Sequence, residues 1–296
     1  MHKLLKGSLL TVVIIIFLSI LIFLILSAYT KTNEFDGQRA FIDVKYQVDL
    51  GPRIPGSDAH KKTAAWIISR LEYEKWDVDT QEVEISGVPI KNIIAQRGTG
   101  THWIIIASHY DSRLFADRDK TPEGQKLSVV GANDGASSVA ILLELARVLP
   151  FSADKKICLV FFDAEDNGNI PGYEWILGSQ YYVDKLNGKP DSVIVLDMVG
   201  DKDLNLYMER NSNPELNQEI WGVASELGYT QFIPTYKYAL IDDHIPFIEA
   251  GIRAVDVIDF DYPYWHTTKD ILENISADSL KVVGKTILKW LEQYPK

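Results

Sequence analysis

Six side chains of the kinds that hold metals in enzymes occupy five widely separated places in this chain of 296 residues, and nearly all of them follow an apolar, strand-like run. They are His109, Asp134, Glu165, Asp166, Asp197 and His266. In an open α/β sheet, the loops that leave the carboxyl ends of the strands share one edge, so groups distant in sequence meet there. Carboxylates and imidazoles are the ligands of catalytic zinc sites. The sequence therefore predicts a zinc site at the strand ends.

The adjacent pair Glu165 and Asp166 suits a division of labour that zinc hydrolases need. One carboxylate holds the metal, while a second one does not bind it and moves protons. Neighbours at a strand end point in different directions, so this pair can supply both roles. Taken alone, each residue also has an ordinary interpretation: a lone His in the core or at the surface, a turn at Asp134-Gly135, a solvated loop after Glu165. Their joint placement after strands favours the functional interpretation.

The loop at 167–175 follows this pair and contains Tyr173 and Trp175. We expect both rings to line the mouth of the substrate pocket. The alternative is that these aromatic side chains stabilise a loop rich in Gly and Pro.

Short apolar strands alternate with helices along the chain, which predicts where the metal-binding side chains are placed. The predicted strands are 78–85, 92–96, 103–107, 157–162, 193–198 and 254–258, and the predicted helices are 35–48, 57–74, 136–149, 177–186, 214–227, 245–250 and 277–291. Such alternation is typical of an α/β domain with a twisted, mixed but mostly parallel sheet that has helices on both faces. The first two strands are expected at the edge of the sheet.

The amino-terminal residues 7–30 contain no charged side chain and are long enough to cross a bilayer core, which takes about 20 residues. Basic residues precede the run and acidic residues follow it soon afterwards, which places residues 1–6 in the cytoplasm and residues 31–296 outside. We therefore expect an uncleaved signal anchor at 7–30 followed by one extracytoplasmic domain at 31–296. The alternative is a signal peptide cleaved near Ser27-Ala28.

The net charge is −11, and no cluster of Lys and Arg interleaved with aromatic residues lies outside the predicted anchor. This argues against nucleic acid as a partner. Cys158 is the single cysteine and lies in an apolar run, so an internal disulfide is impossible and burial is expected. The sequence predicts no particular oligomeric state.

Five segments, in this order, resemble the superfamily of zinc-dependent aminopeptidases and glutaminyl cyclases. They are His109-Tyr110-Asp111-Ser112, Gly131-Ala132-Asn133-Asp134-Gly135-Ala136-Ser137, Phe161-Phe162-Asp163-Ala164-Glu165-Asp166, Leu196-Asp197-Met198-Val199-Gly200 and Trp265-His266-Thr267. The likeness covers nearly all of the chain from Phe35 onward. It implies that Asp134, Asp166 and His266 hold one zinc ion and that Glu165 is the general acid and base.

The two branches of the superfamily differ in what the remaining ligands do. In the aminopeptidases, the residues matching His109 and Asp197 hold a second zinc ion, and the residue matching Asp134 bridges the two ions. In the cyclases one zinc ion is used, and the residue matching Asp197 joins a hydrogen-bond network. The sequence departs from the common pattern at Asp166, where Glu is more usual, and this shorter side chain alters how the metal is reached.

Two residues of the last third favour the cyclase branch. Asp242, in Asp242-Asp243-His244-Ile245-Pro246-Phe247, resembles the cyclase residue that completes a network with Glu165 and Asp197, whereas aminopeptidases usually have Ser there. Trp265, directly before His266, is also similar to the cyclases. Each has an alternative explanation, since Asp242 could begin the short helix that follows and Trp265 could serve packing alone.

The resemblance thus implies a zinc-dependent glutaminyl-peptide cyclotransferase that acts on the amino termini of peptides and forms pyroglutamate with release of ammonia. The first alternative is a zinc aminopeptidase with two metal ions. The second is a tethered binding domain without catalysis, which the intact set of metal-binding and acid–base residues disfavours.

Overall fold

The computed structural model describes residues 14–20 and 34–295 of the chain. Residues 14–20 are helical, and the chain from Phe35 onward forms a separate compact unit. Most of the predicted membrane anchor at 7–30 lies outside the described residues. Within 14–20 and 34–295, no helix is both long enough and apolar enough to cross a bilayer.

A six-stranded sheet of mixed direction forms the centre of the compact unit. Its strands are β1 (Asp77–Ile85), β2 (Val88–Arg97), β3 (His102–His109), β4 (Lys155–Phe162), β5 (Ser192–Asp197) and β8 (Ala254–Ile258). Their spatial order is β1-β2-β4-β3-β5-β8. β1, β2 and β4 pair antiparallel, whereas β4, β3, β5 and β8 run parallel. The four parallel strands consequently place their carboxyl ends along one edge.

Seven α-helices lie between or beside these strands in the compact unit that the structure describes. They are α1 (Gly37–Leu50), α2 (Asp58–Tyr73), α3 (Ala136–Val148), α4 (Leu177–Asp184), α5 (Pro214–Glu226), α6 (Ile245–Glu249) and α7 (Ala277–Gln293). Several begin at a polar side chain that accepts hydrogen bonds from the free N–H groups of the first turn. Ser57 accepts from the backbone of His60 at the start of α2, and Ser276 has the same role in α7.

Alternate residues of the central strands pack against opposite layers of helices. The larger core joins Ile104 and Ile106 of β3 to apolar side chains of α1, α2, α3, α5 and α7. On the other face, Ile105 and Ala107 pack with Tyr182 of α4 and Phe247 of α6. Side chains alternate between the two faces along a strand, so a strand that is buried on both faces must be apolar throughout. The central residues of β3 satisfy this requirement.

The predicted α/β architecture with a mixed sheet and helices on both faces is confirmed. Each predicted helix and strand is present, with ends that differ by a few residues. Sequence reasoning missed a small parallel pair, β6 (Leu206–Met208) with β7 (Phe232–Tyr236). β6 has only three residues and most of β7 is exposed, so neither has the apolar run that marks a buried strand.

Candidate active site

The parallel strands bring the predicted metal-binding residues to one edge of the sheet. β3 ends at His109 and β5 ends at Asp197, while Glu165 and Asp166 follow the end of β4. Asp134 lies just before α3, and His266 lies in the loop after β8. These six side chains are all buried in the fold.

His109 joins two of the carboxylates in a first group. Its Nε2 atom lies 3.1 Å from Oδ1 of Asp134 and 3.1 Å from Oδ1 of Asp197. The Nδ1 atom of the same ring faces Oδ1 of Asp111 at 3.4 Å. The structure therefore places His109, Asp134 and Asp197 as one set of potential metal ligands.

His266 organises a second group that shares Asp134 with the first. Its Nε2 atom lies 2.8 Å from Oδ1 of Asp166 and 3.8 Å from Oδ2 of Asp134. The loop that carries His266 places this residue in the left-handed region of the backbone, with φ of 57°. Such a conformation is uncommon for a residue with a side chain and is found where the surroundings hold a functional group in place.

The donors of the second group fit a divalent cation. Its three ligand atoms lie within 4.8 Å of one another, and Oδ2 of Asp134 and Oδ2 of Asp166 are buried without a hydrogen-bond partner. Burial first, and then the charge of Asp134, raises the pKa of Asp166 to about 6. Burial lowers the pKa of His266, but Asp166 and Asp117 more than offset this and raise it to about 8. A cation would stabilise the ionised carboxylates that otherwise repel one another.

Glu165 faces a cavity of about 300 Å³ at this edge and is only 7% exposed. Burial raises its pKa well above the ordinary value, and the charges of Asp242, Asp166 and Asp243 add to this effect against the opposing influence of His109. A carboxyl group with such a raised pKa is suited to exchange protons near neutral pH.

Asp242 lines the same cavity, 5% exposed, in the segment before α6. The helix itself begins after His244 without any side-chain cap, so Asp242 does not have the capping role that its sequence position allowed. Behind it, Asp242, His244 and Asp256 form a further buried group, in which His244 Nδ1 lies 3.9 Å from Asp256. The opposite nitrogen of His244 faces Glu209 at 3.2 Å.

Aromatic side chains form the walls of the cavity. The Trp175 ring lies parallel to the His266 imidazole, with centroids 6.0 Å apart. Trp265 contacts His266 as well as Phe260, at 3.9 and 4.7 Å between ring centroids. The structure does not bring Tyr173 to this cavity, since that ring packs against the apolar cluster around Val88, Ile90, Ala164 and Leu177.

Sequence reasoning missed two carboxylates that hold these residues in place. Asp111 accepts hydrogen bonds from the backbone N–H groups of Glu165 and Asp166, at 3.1 and 3.3 Å. Its position two residues after His109 was a usable signal, because alternate residues of an extended segment point to the same side. Asp270 accepts from the N–H of Asp134 at 3.2 Å, and nothing in the local sequence indicated that contact.

The α/β fold and the two groups of potential ligands at its strand ends are typical of a metal-dependent enzyme. Residues 92–291 match the model of peptidase family M28, and the chain belongs to that family. Its membership and the two groups of potential ligands point to zinc as the metal.

Characterised relatives fall into both branches of the superfamily. The chain is 31% identical over 202 residues to aminopeptidase YwaD of Bacillus subtilis (strain 168), covering 62% of this chain and 39% of that protein. It therefore spans less than half the length of that relative. It is 24% identical over 278 residues to the glutaminyl-peptide cyclotransferase of Drosophila melanogaster, covering 79% of this chain and 75% of the relative.

Similar solved structures also include both a glutaminyl cyclase and a peptidase. The glutaminyl cyclase of Porphyromonas gingivalis superposes with a TM-score of 0.84 at 33% identity, covering 88% of this chain and 99% of that one. A Zn-dependent exopeptidase from Parabacteroides distasonis ATCC 8503 superposes with a TM-score of 0.81 at 31% identity, covering 87% and 98%. The superfamily predicted from the five motifs is confirmed.

Proposed function

We propose that this chain is a zinc-dependent glutaminyl-peptide cyclotransferase. It converts an amino-terminal glutamine of a peptide to pyroglutamate and releases ammonia. The structural similarity to a glutaminyl cyclase over 88% of this chain supports this reaction.

The position of Asp242 is the observation that carries the proposal. Its carboxyl group lines the cavity together with Glu165 and Asp197, and its charge contributes to the raised pKa of Glu165. Burial, with the charges of Asp134 and Asp242, also raises the pKa of Asp197 to about 7. A set of carboxyl groups that share protons in this way suits a reaction in which one proton is taken up and handed on.

The shape of the cavity suits a single amino-terminal side chain. Trp175 and Trp265 both line the cavity next to His266, and Met198 and Ile258 add apolar surface. These walls would bind the methylene groups of glutamine and exclude bulk water. Zinc held by Asp134, Asp166 and His266 would polarise the carbonyl of the side-chain amide.

Glu165 carries the proton in the reaction. The α-amine of the substrate attacks the side-chain carbonyl carbon, and Glu165 accepts a proton from that amine. A nitrogen–carbon bond forms in the new ring, and the bond from the same carbon to the amide nitrogen breaks. Glu165 then returns the proton to the departing nitrogen, which leaves as ammonia. No water is consumed, which separates this reaction from peptide hydrolysis.

The group of His109, Asp134 and Asp197 favours one second candidate, a zinc aminopeptidase with two metal ions. In the cyclase, one zinc ion is bound and His109 instead stays hydrogen-bonded to Asp197, with 3.1 Å between the atoms. The number of zinc ions per folded chain therefore separates the two candidates.

The decisive experiment uses the full-length chain, purified in a mild detergent and loaded with zinc. It is incubated with two peptides that differ only in the first residue, Gln or Leu, and both ammonia and free amino acids are measured. Ammonia from the Gln peptide without release of amino acids supports the cyclase. Free leucine without ammonia, or no reaction with either peptide, contradicts it. Metal analysis should find one zinc ion per chain.

We also propose that residues 7–30 anchor the enzyme in a membrane, with the catalytic domain outside the cytoplasm. Support comes from the uncharged run and from the basic residues before it. Protease added to intact cells should digest the catalytic domain, and the enzyme should sediment with membranes. Recovery of the full chain in the soluble fraction would contradict the anchor.

A further inference from the structure

We propose that Arg113 and Asp117 are positioning residues that join the loop of Asp166 to the loop of His266 and thereby set the zinc affinity of the site. The inference rests on the metal site of the proposed function. Neither residue belongs to the ligands or to the walls of the catalytic cavity.

Arg113 connects the loop of Asp166 to Asp117. Its side chain is buried, and its Nη1 donates to the backbone oxygens of Asp166 and Gly168 at 2.7 and 3.1 Å. Its Nε and Nη2 donate to the two carboxylate oxygens of Asp117, at 2.9 and 2.6 Å. The planar guanidinium thus makes fixed contacts in two directions, which a Lys side chain cannot reproduce.

Asp117 connects Arg113 to His266. One of its oxygens, which also accepts from Arg113, lies 3.5 Å from Nδ1 of His266. The opposite nitrogen of that ring faces Asp166 and Asp134. A carboxylate at Nδ1 keeps the proton on that nitrogen and leaves the lone pair of Nε2 free for a metal ion, as carboxylates behind metal-bound histidines do.

The residues that follow Asp117 hold the His266 loop as well. The backbone N–H of Arg118 donates to the carbonyl oxygen of His266 at 3.1 Å. The carboxylate of Asp119 accepts from the backbone N–H of Thr268 at 3.1 Å and from its hydroxyl group. The side chain and the backbone of His266 are consequently held by the same short segment.

Trp175 links Arg113 to His266 on the cavity side. The Arg113 guanidinium lies over this ring, 5.1 Å from its centroid, and the His266 imidazole stacks with the same ring at 6.0 Å between centroids. Rotation of the His266 imidazole would therefore disturb its stacking on Trp175 as well as its contacts with Asp117 and Asp166. The arrangement limits the orientations that the imidazole adopts before a metal binds.

A simpler interpretation is an ordinary ion pair between residues four apart, since 45% of the Asp117 side chain is exposed. Exposed pairs of this kind contribute little to stability. Lys45 and Asp49 form a pair with the same spacing in α1, remote in sequence from every metal ligand. Asp49→Asn therefore serves as a matched control that breaks a pair without touching the proposed connection.

The test measures the zinc dissociation constant of the full-length chain by competition with a chelating indicator, together with the Tm of the metal-free protein. Asp117→Asn and Arg113→Lys should weaken zinc binding about 10- to 100-fold, the usual effect of losing a partner of a metal ligand. Asp117→Glu should restore much of the affinity. Asp49→Asn should leave it unchanged.

Two comparisons separate failure of this inference from failure of the proposed function. Suppose that the wild type binds zinc, that His266→Ala abolishes this binding, and that Asp117→Asn binds zinc as tightly as the wild type. Only the connection through Asp117 is then refuted. If the wild type binds no zinc, both are refuted. An Asp117→Asn protein whose metal-free Tm falls while its zinc affinity holds also contradicts the inference. Because the Asp117 side chain is partly exposed, we expect its variants to fold. They therefore test the inference even if Arg113→Lys does not fold.

Discussion

Replacement of Glu165 by Gln should abolish most of the activity while leaving the fold intact. The two side chains have the same shape, but the amide cannot accept the proton of the attacking amine. Glu165 lies in the cavity at 7% exposure, so little water can reach it to replace the lost base. The substitution therefore tests proton transfer rather than packing.

The expected loss follows from the role of the residue. A positioned general acid or base contributes about 10²- to 10⁴-fold to the rate, which corresponds to about 3 to 5 kcal/mol in activation free energy. The value of kcat should fall by this factor, whereas zinc affinity should change little. KM should change far less than kcat, because the walls formed by Trp175 and Trp265 remain.

The same substitution should lower activity but should not lower the stability of the metal-free protein. Burial, followed by the neighbouring carboxylates, raises the pKa of Glu165 in the folded protein above its ordinary value of 4.5. Ionisation of this group therefore costs folding free energy, and the cost grows as the pH rises from about 4.5 toward the raised value. In the metal-free protein, Glu165→Gln removes this cost, so its Tm at pH 7 should equal or exceed that of the wild type.

The assay follows ammonia release from a Gln-initiated peptide in a coupled reaction, with Glu174→Gln as the control. Glu174 is an exposed carboxylate in the loop that follows Glu165 and lies outside the cavity lining. The control should keep wild-type activity. If Glu165→Gln retains kcat within tenfold of the wild type, the role given to this residue is wrong.

Further changes probe the surroundings of the site. Asp242→Ser should lower kcat/KM for the Gln peptide and shift the acidic limb of its pH profile to lower pH, because the charge of Asp242 helps to raise the pKa of Glu165; an unmoved limb would contradict this. Asp256 has two buried oxygens without hydrogen-bond partners, and burial with the charge of Asp242 raises its pKa well above 3.8. Its ionisation therefore destabilises the fold as pH rises, and in urea unfolding of the metal-free protein Asp256→Asn should lose less stability than the wild type between pH 5 and pH 8. Gly178→Ala should lower the free energy of unfolding by about 1 to 3 kcal/mol, because a Cβ there would overlap the carbonyl oxygen of Asp163; an unchanged denaturation midpoint would refute the packing argument. Removal of zinc with a chelator should abolish activity and lower the Tm, and added zinc should restore both, whereas full activity in metal-free protein would exclude the proposed chemistry.

Much of the fold was predictable because its signals are local. The runs in β3 and β4 are apolar throughout, as strands buried on both faces must be, and Ser57 marks the start of α2 as a helix cap. The order of the strands was not predictable in this way. β4 lies between β2 and β3 because of packing between segments far apart in the chain.

The same limit applies to the candidate site. Tyr173 and Trp175 belong to one loop and are both aromatic, yet only Trp175 lines the cavity. Their positions differ because the loop directs the Trp175 ring toward His266 and the Tyr173 ring toward the apolar cluster that contains Val88. No periodicity within a short irregular loop encodes that direction.

By itself the sequence determined the kinds of ligand, their positions after the strands and the superfamily. Side-chain chemistry and the apolar pattern of a strand depend only on residues that are close together in the chain. Only the tertiary structure decided which groups meet. His266 and Asp166 are 100 residues apart in the chain and 2.8 Å apart in the fold. The raised pKa of Glu165 likewise arises from burial and from Asp242, which a different segment contributes. Burial and Coulomb interactions depend on distance in space, so the properties on which the chemistry depends emerge only when the chain is folded.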